Sequence, residues 1–353
     1  MATEKKIKQV LDVLTNPVVN KAETLEPSAK GHISKLRQLI LQQDNIVAVG
    51  ISEKVSNGKK LNKLALTFYV EKKIHLQELR ADQAIPPTIP EAISGAQAIP
   101  TDVVVIGRIF PEASPLVTHH PVQPGYSIGH KDITAGTLGA IVTNGTNLFL
   151  LSNSHVLANS GQGKKGDAIL YPGPDDGGKN PEDMVAVLEK FHPFVKTDNF
   201  VNEADCAIAR PTAAGLSKIK QQIKDIGLPK GVVKPKRGMK IIKVGRTTGK
   251  TVGEIKDVHF RTQIEYEGIG KLGFIEQIFC TRYSKGGDSG SLVLDKASGM
   301  AVGLHFAGAD GGSVCNPIQT VLRHLGVRLV VDAKAGSRQQ GAKPQKRSRK
   351  PIQ

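Results

Sequence analysis

The first 43 residues carry apolar side chains at helical spacing. Ile7, Val10, Leu11 and Leu14 form one stripe and Ile33, Leu36, Leu39 and Ile40 a second, with Asn16-Pro17 and Glu26-Pro27 breaking the pattern between them. The period then changes to that of extended chain. Ile46–Ile51 and Leu64–Val70 are β-type runs flanking a Ser56-Asn57-Gly58 turn signal, and Val103–Ile106 follows a proline-rich passage over Ile85–Pro90. Residues 1–110 therefore predict a helical plus α/β module. Pro111–Pro124, with four prolines, reads as an extended linker. From 125 to 331 the chain is a succession of short apolar runs, among them Thr137–Val142, Leu148–Leu151, Ala207–Ala209, Gly273–Phe279 and Met300–Phe306. Gly, Asn and Asp turns separate them, and helical periodicity returns only at Ile318–Leu325. That texture predicts a mainly β domain, either a sandwich or a pair of barrels.

Composition narrows the class. At 353 residues, 39% apolar and 23% charged, the chain is long enough for two cores and ordinary for a soluble globular protein. No apolar run is long enough to cross a bilayer, and MATEKKIKQV lacks the features of a secretory signal. Cys206, Cys280 and Cys315 are odd in number and widely spaced, which predicts buried thiols rather than a disulfide framework. Together these point to the reducing cytoplasm.

The net charge of +16 divides unevenly: +3 over residues 1–118, +7 over 119–331 and +6 over 332–353. The last segment is almost free of core-forming residues and is expected to be a disordered basic tail. A second basic run, Lys218–Lys250, has eleven Lys or Arg against the single acid Asp225. No aromatic side chains are interleaved for base stacking and no groove-reading motif is present, so a solvated basic face is favoured over nucleic-acid binding. The His119-His120 pair has no third metal ligand nearby, and no metal site is expected.

Three segments carry chemistry. In Leu150-Leu151-Ser152-Asn153-Ser154-His155 an apolar strand runs into a histidine flanked by small residues. In Asn202-Glu203-Ala204-Asp205-Cys206-Ala207 a single Asp precedes an apolar strand, with Asp198 as its competitor. In Ser284-Lys285-Gly286-Gly287-Asp288-Ser289-Gly290 glycines permit a tight loop that exposes a serine and turns N–H groups inward. A serine hydroxyl needs a base to become a nucleophile, and the imidazole needs a buried carboxylate to hold its tautomer. The oxyanion of the tetrahedral intermediate needs preorganised donors, for which the N–H groups of Gly287 and Ser289 are the candidates.

In that order and setting, His155, Asp205 and Ser289 resemble the catalytic triad of the trypsin-like serine peptidases. Their double β-barrel is the fold the resemblance implies, and an endopeptidase without cofactor is the activity. Ser127-Ile128-Gly129-His130, Ile133–Gly139, Leu151–Val156, Pro172-Gly173, Asp176-Gly177-Gly178 and Cys315-Asn316-Pro317-Ile318 look like bacterial relatives of the plant narrow-leaf trypsin-like proteases. Ser154 departs from the Asn usual there. The Gly245-Arg246-Thr247-Thr248-Gly249 segment resembles that of bacterial members, which implies an Arg246–Asp288 ion pair supporting the nucleophile loop. Val302–Gly308 resembles the wall of the primary substrate pocket, making Ser284, His305, Phe306 and Gly308 the candidate pocket residues. Glutamyl endopeptidases carry a His and a hydroxyl at the positions of His305 and Ser284, which implies a preference for an acidic residue before the scissile bond; His305 as a packing residue is the other reading. The partner is then a protein or peptide substrate, and a homo-oligomer is left open. The competing function is a catalytically silent protein-binding module on the same fold.

Overall fold

A computed structural model of the chain describes residues 3–16, 27–56, 59–80, 83–94, 98–109 and 121–332. Most of the predicted linker, with His119-His120, the Asn57-Gly58 turn and nearly all of the basic tail lie outside the described residues. Both helical stripes are buried as their spacing requires. Helix α1 (Glu4–Thr15) and helix α2 (Pro27–Gln42) lay Ile7, Leu11, Leu14, Ile33, Leu36 and Leu39 onto a small sheet. In that sheet β1 (Ile46–Ser56) and β2 (Lys59–Val70) are antiparallel. After a crossover through β3 (Thr88–Ile89), β4 (Ile99–Val105) runs parallel to β2.

The first β-rich half contains β5 (Ser127–His130), β6 (Gly136–Thr137), β7 (Ala140–Thr143), β8 (Leu148–Ser152), β9 (Ala168–Leu170), β10 (Met184–Phe191), β11 (Phe200–Asn202) and β12 (Ala207–Pro211). All but β11 join a curved sheet of order β19-β7-β8-β12-β10-β9-β5-β6, which the terminal β19 (Arg328–Leu329) extends. The second half contains β13 (Lys240–Gly245), β14 (Gly249–Tyr266), β15 (Gly270–Cys280), β16 (Leu292–Asp295), β17 (Ala301–Ala309) and β18 (Gly312–Pro317). Here the order β15-β18-β17-β16-β13-β14 returns to β15, so six strands close into a barrel. The protein is mainly β, a double β-barrel preceded by an α/β module. A shared core of Val142, Phe149 and Leu151 from one half and Leu292, Leu294 and Leu304 from the other joins the two sheets. Among the described residues no helix is long and apolar enough to cross a membrane.

The α/β module and the second barrel share one sheet. β14 is 18 residues long and overruns its barrel, and Ala48 and Val49 of β1 pair with Thr262 and Arg261 on the overhang. The sequence reading did not find β14, because Lys, Glu, Asp, His and Arg interrupt its apolar positions. Several of those residues serve the junction. Arg261 is fully buried and pairs with Asp12 of α1 and with Glu276 at 3.1 Å. Lys8 lies 3.2 Å from Asp12 and 3.4 Å from Glu276, and Arg237 reaches Glu4 at 2.5 Å.

Candidate active site

His155, Asp205 and Ser289 come from three loops at the junction of the two barrels. β8 ends at Ser152, and the chain turns into a single helical turn, Ser154–Leu157, that carries His155. Its Nδ1 meets Asp205 Oδ2 at 2.5 Å. Asp205 has no exposed surface, and four donors surround its carboxylate. Oδ1 accepts from the N–H groups of Ser154 at 2.6 Å and His155 at 3.2 Å, while Oδ2 also accepts from the Tyr266 hydroxyl at 2.7 Å. The backbone is fixed as well, since Asp205 N–H donates to Asn316 Oδ1 and the Asn153 amide donates to the Asp205 carbonyl. A buried carboxylate with its lone pairs filled by N–H and O–H donors is held in one orientation. Asp198, the competing acid, is exposed.

Tyr266, at the end of β14, is the side chain that sequence reasoning missed here. Burial and the Asp205 charge both push its phenol well above the usual range, so it remains a donor. It lies 61 residues from Asp205, and only the long overhanging hairpin brings it back.

Ser289 opens the turn before β16. Its carbonyl accepts from Thr137 N–H at 2.7 Å, and its hydroxyl donates to the Phe306 carbonyl at 3.4 Å. His155 Nε2 is buried and makes no hydrogen bond among the described residues. Gly136 marks how closely the two loops approach: a Cβ there would lie 2.4 Å from the Val156 side chain and 2.9 Å from the Ser289 carbonyl.

The loop carrying Gly287 is pinned by its peptide oxygens. Thr137 Oγ1 donates to the Gly287 carbonyl at 2.8 Å and Thr247 Oγ1 to that of Gly286 at 2.6 Å. Gly287 has φ +89°, and a Cβ there would sit 2.5 Å from Arg246 Nε, so both backbone conformation and space require glycine.

The expected Arg246–Asp288 pair does not form. Asp288 is held instead by Lys243 at 2.9 Å, with both side chains fully buried. Its carboxylate also accepts from Thr248 Oγ1 at 2.5 Å and from the N–H groups of Thr247, Thr248 and Lys285. Burial pushes the Asp288 carboxyl up, but the Lys243 charge and these hydrogen bonds outweigh it and hold it below the usual range. The reason is geometric. Lys243 points inward from β13, whereas Arg246 lies beyond the strand end in the turn that faces the first barrel. Arg246 Nη1 meets both carboxylate oxygens of the buried Asp176, at 2.6 and 2.5 Å.

Of the four pocket candidates, His305 and Phe306 lie on opposite faces of β17. His305 Nδ1 lies 3.2 Å from the Tyr283 hydroxyl, and Ser284 Oγ lies 2.7 Å from Ser313 Oγ, which also accepts from Tyr283 N–H. His305 and Ser284 thus belong to one hydrogen-bonded group, in which both are buried. Phe306 turns the other way, its ring 5.1 Å from that of Phe274 in an aromatic core, and presents its carbonyl to Ser289. Gly308 pairs across the ladder with Ser313.

No protein-family model and no curated protein sequence matches the chain. Among solved structures, it is similar to a glutamic-acid-specific serine protease described as using a novel histidine triad in substrate binding, at 20% identity and a TM-score of 0.43, over 59% of this chain and 100% of that one. It is also similar to Thermobifida fusca Protease A, at 16% identity and 0.42, over 60% and 99%. A Cellulomonas bogoriensis chymotrypsin matches at 15% identity and 0.41, again over 60% and 99%.

Proposed function

We propose that the protein is a serine endopeptidase in which Ser289 is the nucleophile, His155 the general base and Asp205 the residue that orients it. The observation that carries this is the Asp205 carboxylate, buried and filled by four donors, His155 Nδ1 among them, beside a loop that presents Ser289. That contact leaves Nε2 as the nitrogen able to take the Ser289 proton while Oγ attacks the scissile carbonyl. The imidazolium then protonates the leaving amine, and a water activated by the same nitrogen hydrolyses the acyl-enzyme. The N–H groups of Gly287 and Ser289 would stabilise the oxyanion, at roughly a hundred- to a thousand-fold in rate per donor.

The finer reading is a preference for Glu or Asp before the scissile bond. It is supported by the shared hydrogen-bonded group of His305 and Ser284. Three free, buried cysteines support a reducing, cytoplasmic setting, and the motifs quoted above support kinship with the narrow-leaf trypsin-like proteases. Labelling with a fluorophosphonate probe, beside a Ser289→Ala control, tests the enzyme reading against the silent binding module. Labelling of the wild type alone is expected, and equal labelling of both or of neither overturns it. A peptide-library cleavage profile tests the acidic preference, which fails if Leu, Phe or Lys serves as well as Glu.

A further inference from the structure

His305 and Cys315 are direct cross-strand partners on β17 and β18, so their side chains share one face of the sheet. The Tyr283 hydroxyl lies between them, 3.2 Å from His305 Nδ1 and 2.9 Å from Cys315 Sγ. The Tyr283 and His305 rings meet edge-on at 5.3 Å. Gly303 makes room for this arrangement, since a Cβ there would lie 2.9 Å from Cys315 Cβ. His305 and Cys315 have no exposed surface, and Tyr283 is 5% exposed.

A phenol oxygen has one proton and two lone pairs, so it can accept from one neighbour while donating to the other. Two arrangements of the chain are therefore available. In the first the Cys315 thiol donates to the phenol oxygen and the phenol donates to Nδ1. In the second the thiol proton has moved onto the phenol oxygen and the phenol proton onto Nδ1, leaving a thiolate and an imidazolium. One proton is transferred in sum, and none is exchanged with solvent. In water the reference acidities of Cys and His, about two pK units apart, disfavour the charged form roughly a hundredfold. In a dry interior the attraction between ions in contact works in the opposite direction.

The remaining groups around the chain favour the thiolate. Cys280 of β15 is a second buried thiol beside Cys315, and burial pushes Cys280 itself up. Lys256 of β14 lies on that side, paired with Glu254 at 2.5 Å. β13 and β16 pack the aliphatic Ile241 and Val293 into the same cluster. Burial, the largest influence, would raise the Cys315 thiol, but the neighbouring Cys280, His305 and Tyr283 outweigh it and hold it below the usual thiol range. A Cys280–Cys315 disulfide is not an alternative role. Cys280 pairs with Ser313 and Cys315 with Ile278, a diagonal relation in which Cα atoms stand about 7–8 Å apart, beyond disulfide reach.

We propose that Cys315 and Tyr283 are specificity-determining partners of His305, the thiol serving as its resident proton donor and the phenol as the relay, so that His305 meets an acidic substrate side chain as an imidazolium without taking a proton from solvent. The inference rests on the acidic-preference reading. It goes beyond it by predicting how that preference depends on pH.

Matched peptides with Glu or Gln before the scissile bond separate the two. Titration of His155 affects both substrates alike and cancels in the ratio of their kcat/KM values. In the wild type that ratio is expected to stay within about threefold between roughly pH 6 and 8, because the proton on His305 is supplied internally. In Cys315→Ser and in Tyr283→Phe it should fall about tenfold per unit above roughly pH 6.5, the ordinary imidazole value. A ratio in Cys315→Ser as flat as in the wild type overturns the inference. A second measurement does not need turnover. The ultraviolet thiolate absorbance of Ser289→Ala minus that of Ser289→Ala/Cys315→Ser should titrate below pH 7, and the step should move up when His305→Gln is added. A difference titration at or above the ordinary thiol value of about 8.5 overturns the relay. A low thiol titration in a protein that does not prefer Glu supports the relay and removes the acidic-preference reading instead.

Discussion

Lys243 and Asp288 form an ion pair at 2.9 Å in which neither side chain has exposed surface. Asp288 immediately precedes Ser289, so this pair anchors the loop on which the proposed nucleophile sits. Removing one member of a buried pair leaves the other uncompensated, typically at 3–5 kcal/mol. Lys243→Met should therefore lower stability by about that amount and lower kcat in the fraction that folds. The pH dependence has a definite sign. The Asp288 carboxyl is held below its usual range in the folded protein, so its contribution is present above the unfolded value of about 3.9 and is lost as pH falls through the folded one. Thermal melts of wild type and Lys243→Met at neutral and strongly acidic pH check this: the gap between them should narrow in acid. An unchanged gap would remove the pair as the source.

For the proposed triad, Ser289→Ala and His155→Ala should each reduce turnover on the order of a million-fold with the fold retained. Tyr266→Phe is the more discriminating variant. It removes one of the four donors to Asp205 and leaves the His155 contact in place. Hydrogen bonds to charged groups contribute roughly 1.5–3 kcal/mol, so a loss of about ten- to a hundredfold in kcat is expected, with little change in KM. Steady-state kinetics on one good peptide decides it, and wild-type kcat would make Tyr266 a packing residue.

The contrast between Tyr266 and Asp205 indicates what was legible in the sequence. His155, Asp205 and Ser289 were readable because each lies in a short segment with a local reason for its exposure or burial. The stripes of α1 and α2 were readable because helical spacing is local too. Tyr266 and Lys243 were not, since their roles depend on where a strand ends relative to a loop tens of residues away. Lys243, flanked by Ile242 and Val244, reads as the solvent-facing position of an alternating strand, yet it is fully buried. The pairing of β1 with β14 was equally hidden, because nothing in either strand names its partner.

Asp257 offers a test of the junction between module and barrel. It is fully buried, with Oδ1 accepting from His259 N–H at 2.7 Å and Oδ2 from the Tyr69 hydroxyl at 3.1 Å. Burial is the largest influence on its carboxyl and, despite those hydrogen bonds, raises it to about 6. The folded state therefore binds the proton more tightly than the unfolded state, so stability should fall as pH rises from about 4 to about 6. The change is on the order of 2–3 kcal/mol. Asp257→Asn keeps the acceptor and removes the ionisation. Its melting temperature should exceed that of the wild type at pH 7.5 and converge with it near pH 4; the reverse ordering would refute the assignment.

Arg246 and Asp176 make the last prediction, because their pair spans the two barrels. Asp176 lies in the turn Pro174–Asp176 of the first half and Arg246 in the turn after β13 of the second. The same arginine is packed against Gly287, and its N–H donates to Thr137 Oγ1, which in turn donates to the Gly287 carbonyl. Shifting the guanidinium should therefore rotate the peptide that presents the Gly287 N–H. Asp176→Asn keeps the shape of the site but removes the charge that fixes Arg246. The expected result is a fall in kcat approaching the loss of one oxyanion donor, about a hundredfold, with KM for a good peptide changing far less. Binding of a peptide boronate, which becomes tetrahedral on Ser289 and carries the oxyanion, should weaken in parallel with kcat. A purely structural pair would lower the melting temperature and leave kcat per folded molecule and boronate affinity unchanged, and that outcome would remove Asp176 and Arg246 from the positioning of the hole.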